Sequence, residues 1–182
     1  MSVFKIRQVK KEIRTLGLAA KSAGSEGEFL VVGVVFRGSL WLDGVMRTTT
    51  HTADITDGSA EMITASRHHP QIRAILVHGD LLHDGCTIDP FNLSRETMRP
   101  VVALNYKGDL GSDEPDSTQV YTMDVTGEAT SYSIGLEGPV AVNILRTVSR
   151  DSVLPEALRV ARILLSYFME QSNIRFKNDS TA

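Results

Sequence analysis

One cysteine in 182 residues, Cys86, excludes an internal disulfide framework and a cysteine-rich zinc site. Long apolar runs are missing as well. The best, Phe29 to Phe36, falls far short of the roughly 18 residues needed to cross a bilayer. The opening MSVFKIRQVKKEIR has charges but no apolar stretch followed by a small-residue cleavage site, so no secretory signal is expected and the expected compartment is the cytoplasm. A basic excess is also absent: 19 Lys and Arg against 22 Asp and Glu leave a net charge of −3, so any nucleic-acid binding would need a local basic face. There is no internal repeat and no low-complexity tract. What remains is 42% hydrophobic and 23% charged residues, which argues against disorder and for one globular domain over 1–182.

The chain opens on alternation: in Glu12 to Leu18, Ile13, Thr15 and Gly17 interleave with Arg14, Leu16 and Leu18, as in a strand. A polar stretch from Ala20 to Glu28 precedes FLVVGVVFRG, rich in β-branched residues and read as a strand buried on both faces. Gly38 and Ser39 turn it into LWLDGVMRTTT, its antiparallel partner. Asp54, with Asp57 three residues on, predicts a capped helix carrying Ile55, Ser59, Met62, Ile63 and Ser66 at helical spacing. Short apolar strands follow at Arg73–Val77 and Pro100–Leu104, with a helical turn or two at Phe91–Thr97 between them. The acidic, glycine-containing stretch 107–117 reads as a surface loop. Val120–Val125 and Thr130–Leu136 read as short strands, the second at an edge. Pro139 and Pro155 each start a helix, and the polar residues 173–182 read as a frayed tail. A three-strand antiparallel meander, then strands alternating with helices, predicts an α/β mixed sheet flanked by helices.

Five blocks, KEIRTLGL (11–18), LVVGVVFRGSLWLDG (30–44), Ser66–His68 with Gln71 and Arg73, LSRET (93–97) and PEALRVA (155–161), together resemble an archaeal family. That family is associated with endonuclease activity on deoxyuridine in DNA and is similar to endonuclease V. The resemblance implies a ribonuclease H-like fold. It also implies phosphodiester hydrolysis with a divalent metal, Mg²⁺ or Mn²⁺, held by carboxylates at the ends of central strands, because such ions favour oxygen donors.

The carboxylates themselves are where this chain departs. Where the family has Leu-Gly-Ile-Asp-Asp after the first strand, this chain has Leu16, Gly17, Leu18, Ala19 and Ala20. The family's Asp-Gly at the end of the fourth strand is His78–Gly79, and a third acid, eleven residues on, is retained as Asp89. His78 and Asp89 are therefore the candidate catalytic residues, and His78, Asp80, Asp84 and Asp89 the candidate metal ligands. An imidazole would suit a softer ion such as zinc or manganese. Their spacing matches no known metal motif, so solvated loop side chains are the competing reading.

Arg37, Arg95 and Arg159 are candidate substrate-binding residues, Arg37 and Arg159 through phosphate contacts and Arg95, with Glu96, by orienting a substrate loop. Each also has an ordinary structural reading: a hairpin arginine, an ion pair beside Glu96, and a partly buried ion pair on the last helix. Asp43 is either a β-bulge residue or, with Glu26, a replacement for the absent acids. Cys86 and His83 could form a nucleophilic pair, without a recognisable third member. Lys5, Arg7, Lys10, Lys11 and Arg14 make a basic stripe that either touches a nucleic-acid backbone or is a solvated arm. Two functions stay open: a metal-dependent endonuclease acting on deaminated bases in DNA, and a catalytically silent module binding nucleic acid or protein on the same scaffold.

Overall fold

The computed structural model describes residues 4, 6, 8–23, 27–82, 88–106, 123–124, 129–150 and 154–179, with the backbone alone at 52, 80, 82, 105–106, 123–124, 129–130 and 172–179. Lys5, Arg7, Glu26, His83, Asp84, Cys86 and the 107–117 segment lie outside the described residues.

Among the described residues seven strands form one mixed sheet: β1 (Arg14–Ser22), β2 (Glu28–Arg37), β3 (Trp41–His51), β4 (Ala74–His78), β5 (Val101–Tyr106), β6 (Met123–Asp124) and β7 (Ala129–Ile134). Their order is β3-β2-β1-β4-β5-β7-β6. The meander is as expected, β1–β2 and β2–β3 being antiparallel. β4 and β5 then join β1 in parallel, as strands separated by helical crossovers must. β1 runs further than its alternation suggested, through Ala20 and Lys21 to Ser22, because its end pairs with Phe29 and Leu30 of β2. β7 is not the edge: it lies between β5 and the two-residue β6.

The helices are α1 (Ile55–Thr64), α2 (Pro90–Thr97), α3 (Gly138–Val148) and α4 (Glu156–Asp179). α4 continues past Asn173, where polar composition suggested fraying. Alternation along the strands divides the core in two. Leu16, Leu18, Val31, Val35, Ile75 and Val77 pack with α1 and α2, while Val32, Val34, Leu76 and Leu104 pack with α3 and α4. The predicted cap of α1 is only half there: Asp54 occupies the position but makes no side-chain cap bond.

α4 lies unusually close to β1. A Cβ at Gly17 would fall inside the backbone of Ala157 and Leu158, so only glycine permits this approach. Further along the helix, Arg47 of β3 lies 4.8 Å above the Phe168 ring, which fixes α4 obliquely across three strands.

Gly17→Ala should cost about 3 kcal/mol, since the collision is with backbone that no rotamer change relieves. Gly33→Ala, which meets the side chains of Met46 at Cγ, Met62 at its methyl and Leu16, should cost less because side chains can shift where backbone cannot. Thermal denaturation of the two variants tests the order.

Candidate functional site

Because α4 crosses β1 at Gly17, its next turns pass over the C-terminal ends of β1 and β4. There Leu18, Ala19, Ala20, Lys21, His78, Leu81, Arg162, Leu165 and Ser166 enclose a cleft of about 330 Å³. His78, the last residue of β4 and only 5% exposed, faces α4, as Leu76 does two residues earlier. Arg162 Nη1 lies 3.3 Å from His78 Nε2. If Arg162 donates, that nitrogen's lone pair is occupied and the imidazole proton sits on Nδ1. Lys21 and Arg162 supply positive charge, Ser166 a hydroxyl, and among the described residues no acid lines the cleft.

Asp89 stands elsewhere in the local architecture. It is the N-cap of α2, where Oδ1 accepts from the Phe91 and Asn92 amides at 2.8 and 3.2 Å. Its own amide donates to Thr56 Oγ1 of α1 at 3.0 Å, so it belongs to the α1–α2 side of the sheet. Pro90 at the first helical position completes a helix start that the Asp-Pro pair announced in the sequence. Asp80 lies in the short 3₁₀ turn Gly79–Leu82 that follows β4.

The described residues do not suit a hard divalent cation. Ala19 and Ala20 bring methyl groups, His78 Nε2 faces a guanidinium, and one oxygen of Asp89 is committed to a helix cap. Among the described residues, no three His, Cys, Asp or Glu side chains gather.

The three candidate arginines are not brought together. Arg37 is at the far end of the sheet, its Nε 3.5 Å from Asp43 Oδ1. Arg95 pairs with its neighbour Glu96 at 3.1 Å on an exposed surface of α2. Arg159 bonds Glu156 through Nη2 at 2.7 Å and Nε at 3.0 Å, and this partner raises its pKa further. Asp43 is the extra residue of a β-bulge: Val35 pairs with Gly44 and Phe36 with Leu42. Sequence reasoning missed Lys21, Arg162 and Ser166. Arg162 could have been found from its i, i+3 relation to Arg159 in PEALRVARI, but only the close approach at Gly17 tells which arginine reaches the strand ends.

Asp89→Ala should lower stability by about 1 kcal/mol through loss of the cap, and Asp89→Asn should recover most of it. Equilibrium denaturation of both variants measures this.

Residues 11–112 match the Endonuclease dU family. A UPF0215 protein of Methanopyrus kandleri is 34% identical over 184 residues, covering 88% of this chain and 93% of that one. Among solved structures, human ENDOV superposes with a TM-score of 0.66 at 16% identity, covering 88% of this chain and 85% of that one. Endonuclease V of Ciona intestinalis, solved with a 24mer DNA containing an inosine followed by a ribo-adenosine, gives 0.61 at 10% identity, with 87% and 86% covered. Those likenesses fix the fold as ribonuclease H-like. The match over more than half of its length and the relative's identity carry the further conclusion that this chain belongs to the Endonuclease dU family.

Proposed function

We propose that this protein binds nucleic acid at the α4 cleft by holding phosphate, without the acid-held metal of a nuclease. The carrying observation is the composition of the cleft: Ala19 and Ala20 where the resemblance expects carboxylates, with His78, Arg162 and Lys21 around them. A cleft whose described lining holds cations and no acid prefers a phosphate oxygen to a metal ion. Arginine presents a fork of donors suited to phosphate, while the Ser166 hydroxyl donates to the Arg162 carbonyl at 3.1 Å within the helix. DNA is the first partner to test, because the Ciona relative's structure contains it. A cytoplasmic location would suit this role, and no described helix is long and apolar enough to cross a membrane.

A second reading, metal-dependent nicking of DNA containing deaminated bases, is favoured by the retained Asp89 and by membership of the Endonuclease dU family. The same preparation separates the two. Oligonucleotides should bind with an affinity that falls steeply as salt rises, and Lys21→Ala with Arg162→Ala should weaken binding about tenfold or more. Duplexes bearing deoxyuridine or deoxyinosine should stay intact with Mg²⁺ or Mn²⁺. Nicking that disappears in Asp89→Asn, a variant that keeps the helix cap, would establish the second reading and overturn the first.

A further inference from the structure

The opposite end of the sheet carries a basic surface that the cleft does not use. Directly opposed residues of adjacent strands share a face, and the register sets Arg14 against Arg37 and Arg37 against Trp41. The three therefore form one row across β1, β2 and β3. Arg73, whose amide donates to the Arg14 carbonyl at 2.9 Å, extends the row to the foot of β4. Arg99, just before β5, follows: burial and then the neighbouring Arg73 charge lower its pKa. Beside the row, Arg67, His68 and Gln71 complete a polar depression of about 290 Å³ with Arg14 and Asp43.

Asp43 is the one carboxylate there, 2.6 Å from Arg14 Nε and 3.5 Å from Arg37 Nε. Arg37 Nε is buried without a hydrogen-bond acceptor. Among the described residues no carboxylate pairs with Arg67, Arg73 or Arg99. A strong local positive charge thus stands on a chain whose net charge is −3. At one end of the row Leu40, Trp41 and Leu42 are 60%, 60% and 53% exposed, an aromatic surface beside guanidinium groups.

We propose that this row is a second nucleic-acid contact, taking the phosphates of a single strand on Arg37, Arg67 and Arg73 and stacking a base on Trp41. The row from Trp41 to Arg73 crosses four strands, roughly 15 Å at about 4.8 Å per step, so it fits a linear polyanion better than one small anion. Aromatic stacking beside a cationic track is how strands are held without sequence preference. The inference rests on the reading that this protein binds nucleic acid and extends it away from the cleft. Arg14 and Ala20 are six residues apart on β1, or about 20 Å. That distance corresponds to roughly six stacked nucleotides, which a 16-mer exceeds and a stacked tetranucleotide does not reach.

Trp41 is the only tryptophan, so intrinsic fluorescence reports this surface directly. A single-stranded 16-mer should quench it. The pair Arg67→Ala, Arg73→Ala removes two exposed side chains, and circular dichroism checks that the variant folds. This variant should bind the 16-mer about tenfold more weakly, with a salt slope lower by about 1.4 for two lost contacts. Tetranucleotide binding that Lys21→Ala, Arg162→Ala weakens should be untouched by it. If anisotropy reports 16-mer binding while Trp41 emission stays flat and the Arg67/Arg73 variant binds like the wild type, the second contact is overturned and the cleft reading survives. If quenching and Arg67/Arg73 sensitivity persist while the cleft variant binds normally, the cleft reading falls and the second contact stands. A dimer that Trp41→Ala dissociates in sedimentation would assign the exposed tip to a second copy of this chain, overturning the proposal.

Discussion

The contact between Gly17 and the first turn of α4 governs both the packing and the chemistry of this molecule. β1 is central, paired with β2 on one side and β4 on the other, so whatever crosses it is fixed relative to the whole sheet. With no Cβ at position 17, Ala157 and Leu158 can rest on the strand backbone itself. Small residues at Ala157 and Ala161, both buried, continue that closeness along the helix. Arg162 is thereby delivered to the end of β4, where it meets His78. A helix held farther off by even a methyl group would leave His78 facing water and the cleft without its guanidinium.

Charge decides what such a cleft can hold. Two unit charges 4 Å apart near a protein surface interact by about 4 kcal/mol, enough to reverse the preference of a site between a cation and an anion. In this chain the two β1 positions that the family resemblance marks for acids are Ala19 and Ala20, and the third is a histidine beside Arg162. Each change lowers affinity for a hard divalent ion, and the arginine opposes it outright. Among the described residues, the strand ends at this cleft carry positive charge and no carboxylate. Asp89 has a separate task, because the start of α2 needs an acceptor for the Phe91 and Asn92 amides whatever the cleft contains.

Much of the fold was legible because its signals are local. The β-branched run at Phe29–Phe36 became β2, Gly38 with its positive φ turned the chain, and the prolines at 139 and 155 marked two helix starts. The five blocks of resemblance led to the correct family and fold class. The errors lie where tertiary contact overrides local preference. Ala20 and Lys21 have weak strand propensity, yet β2 supplies their ladder partners. β7 reads as an edge in the sequence, but it pairs with both β5 and β6, and Ser131 and Ser133 are buried. The candidate site was partly legible: His78 does line the cleft, as its place at a strand end implied. Arg37, Arg95 and Arg159 were singled out by neighbours in sequence, whereas membership of a cleft depends on a helix crossing that sequence spacing does not encode.

Asp43 shows how a residue that resembles a displaced metal ligand can be explained by its surroundings. Arg14 and Arg37 are directly opposed across β1 and β2, an arrangement that like charges make unfavourable. An unbulged β3 would alternate Asp43 away from the face that Gly44 shares with His68. The bulge inserts one residue between the partners of Val35 and Phe36 and re-aims the carboxylate between the two guanidinium groups. Its negative charge lets two arginines stand side by side at the sheet's end while leaving the pair with a net positive charge. Gly44, the next residue, leaves by its missing side chain the space that the His68 imidazole occupies. Bulge, glycine and histidine therefore form one device that holds arginines at a surface, and the carboxylate within it serves as a counter-ion, far along β1 from the cleft.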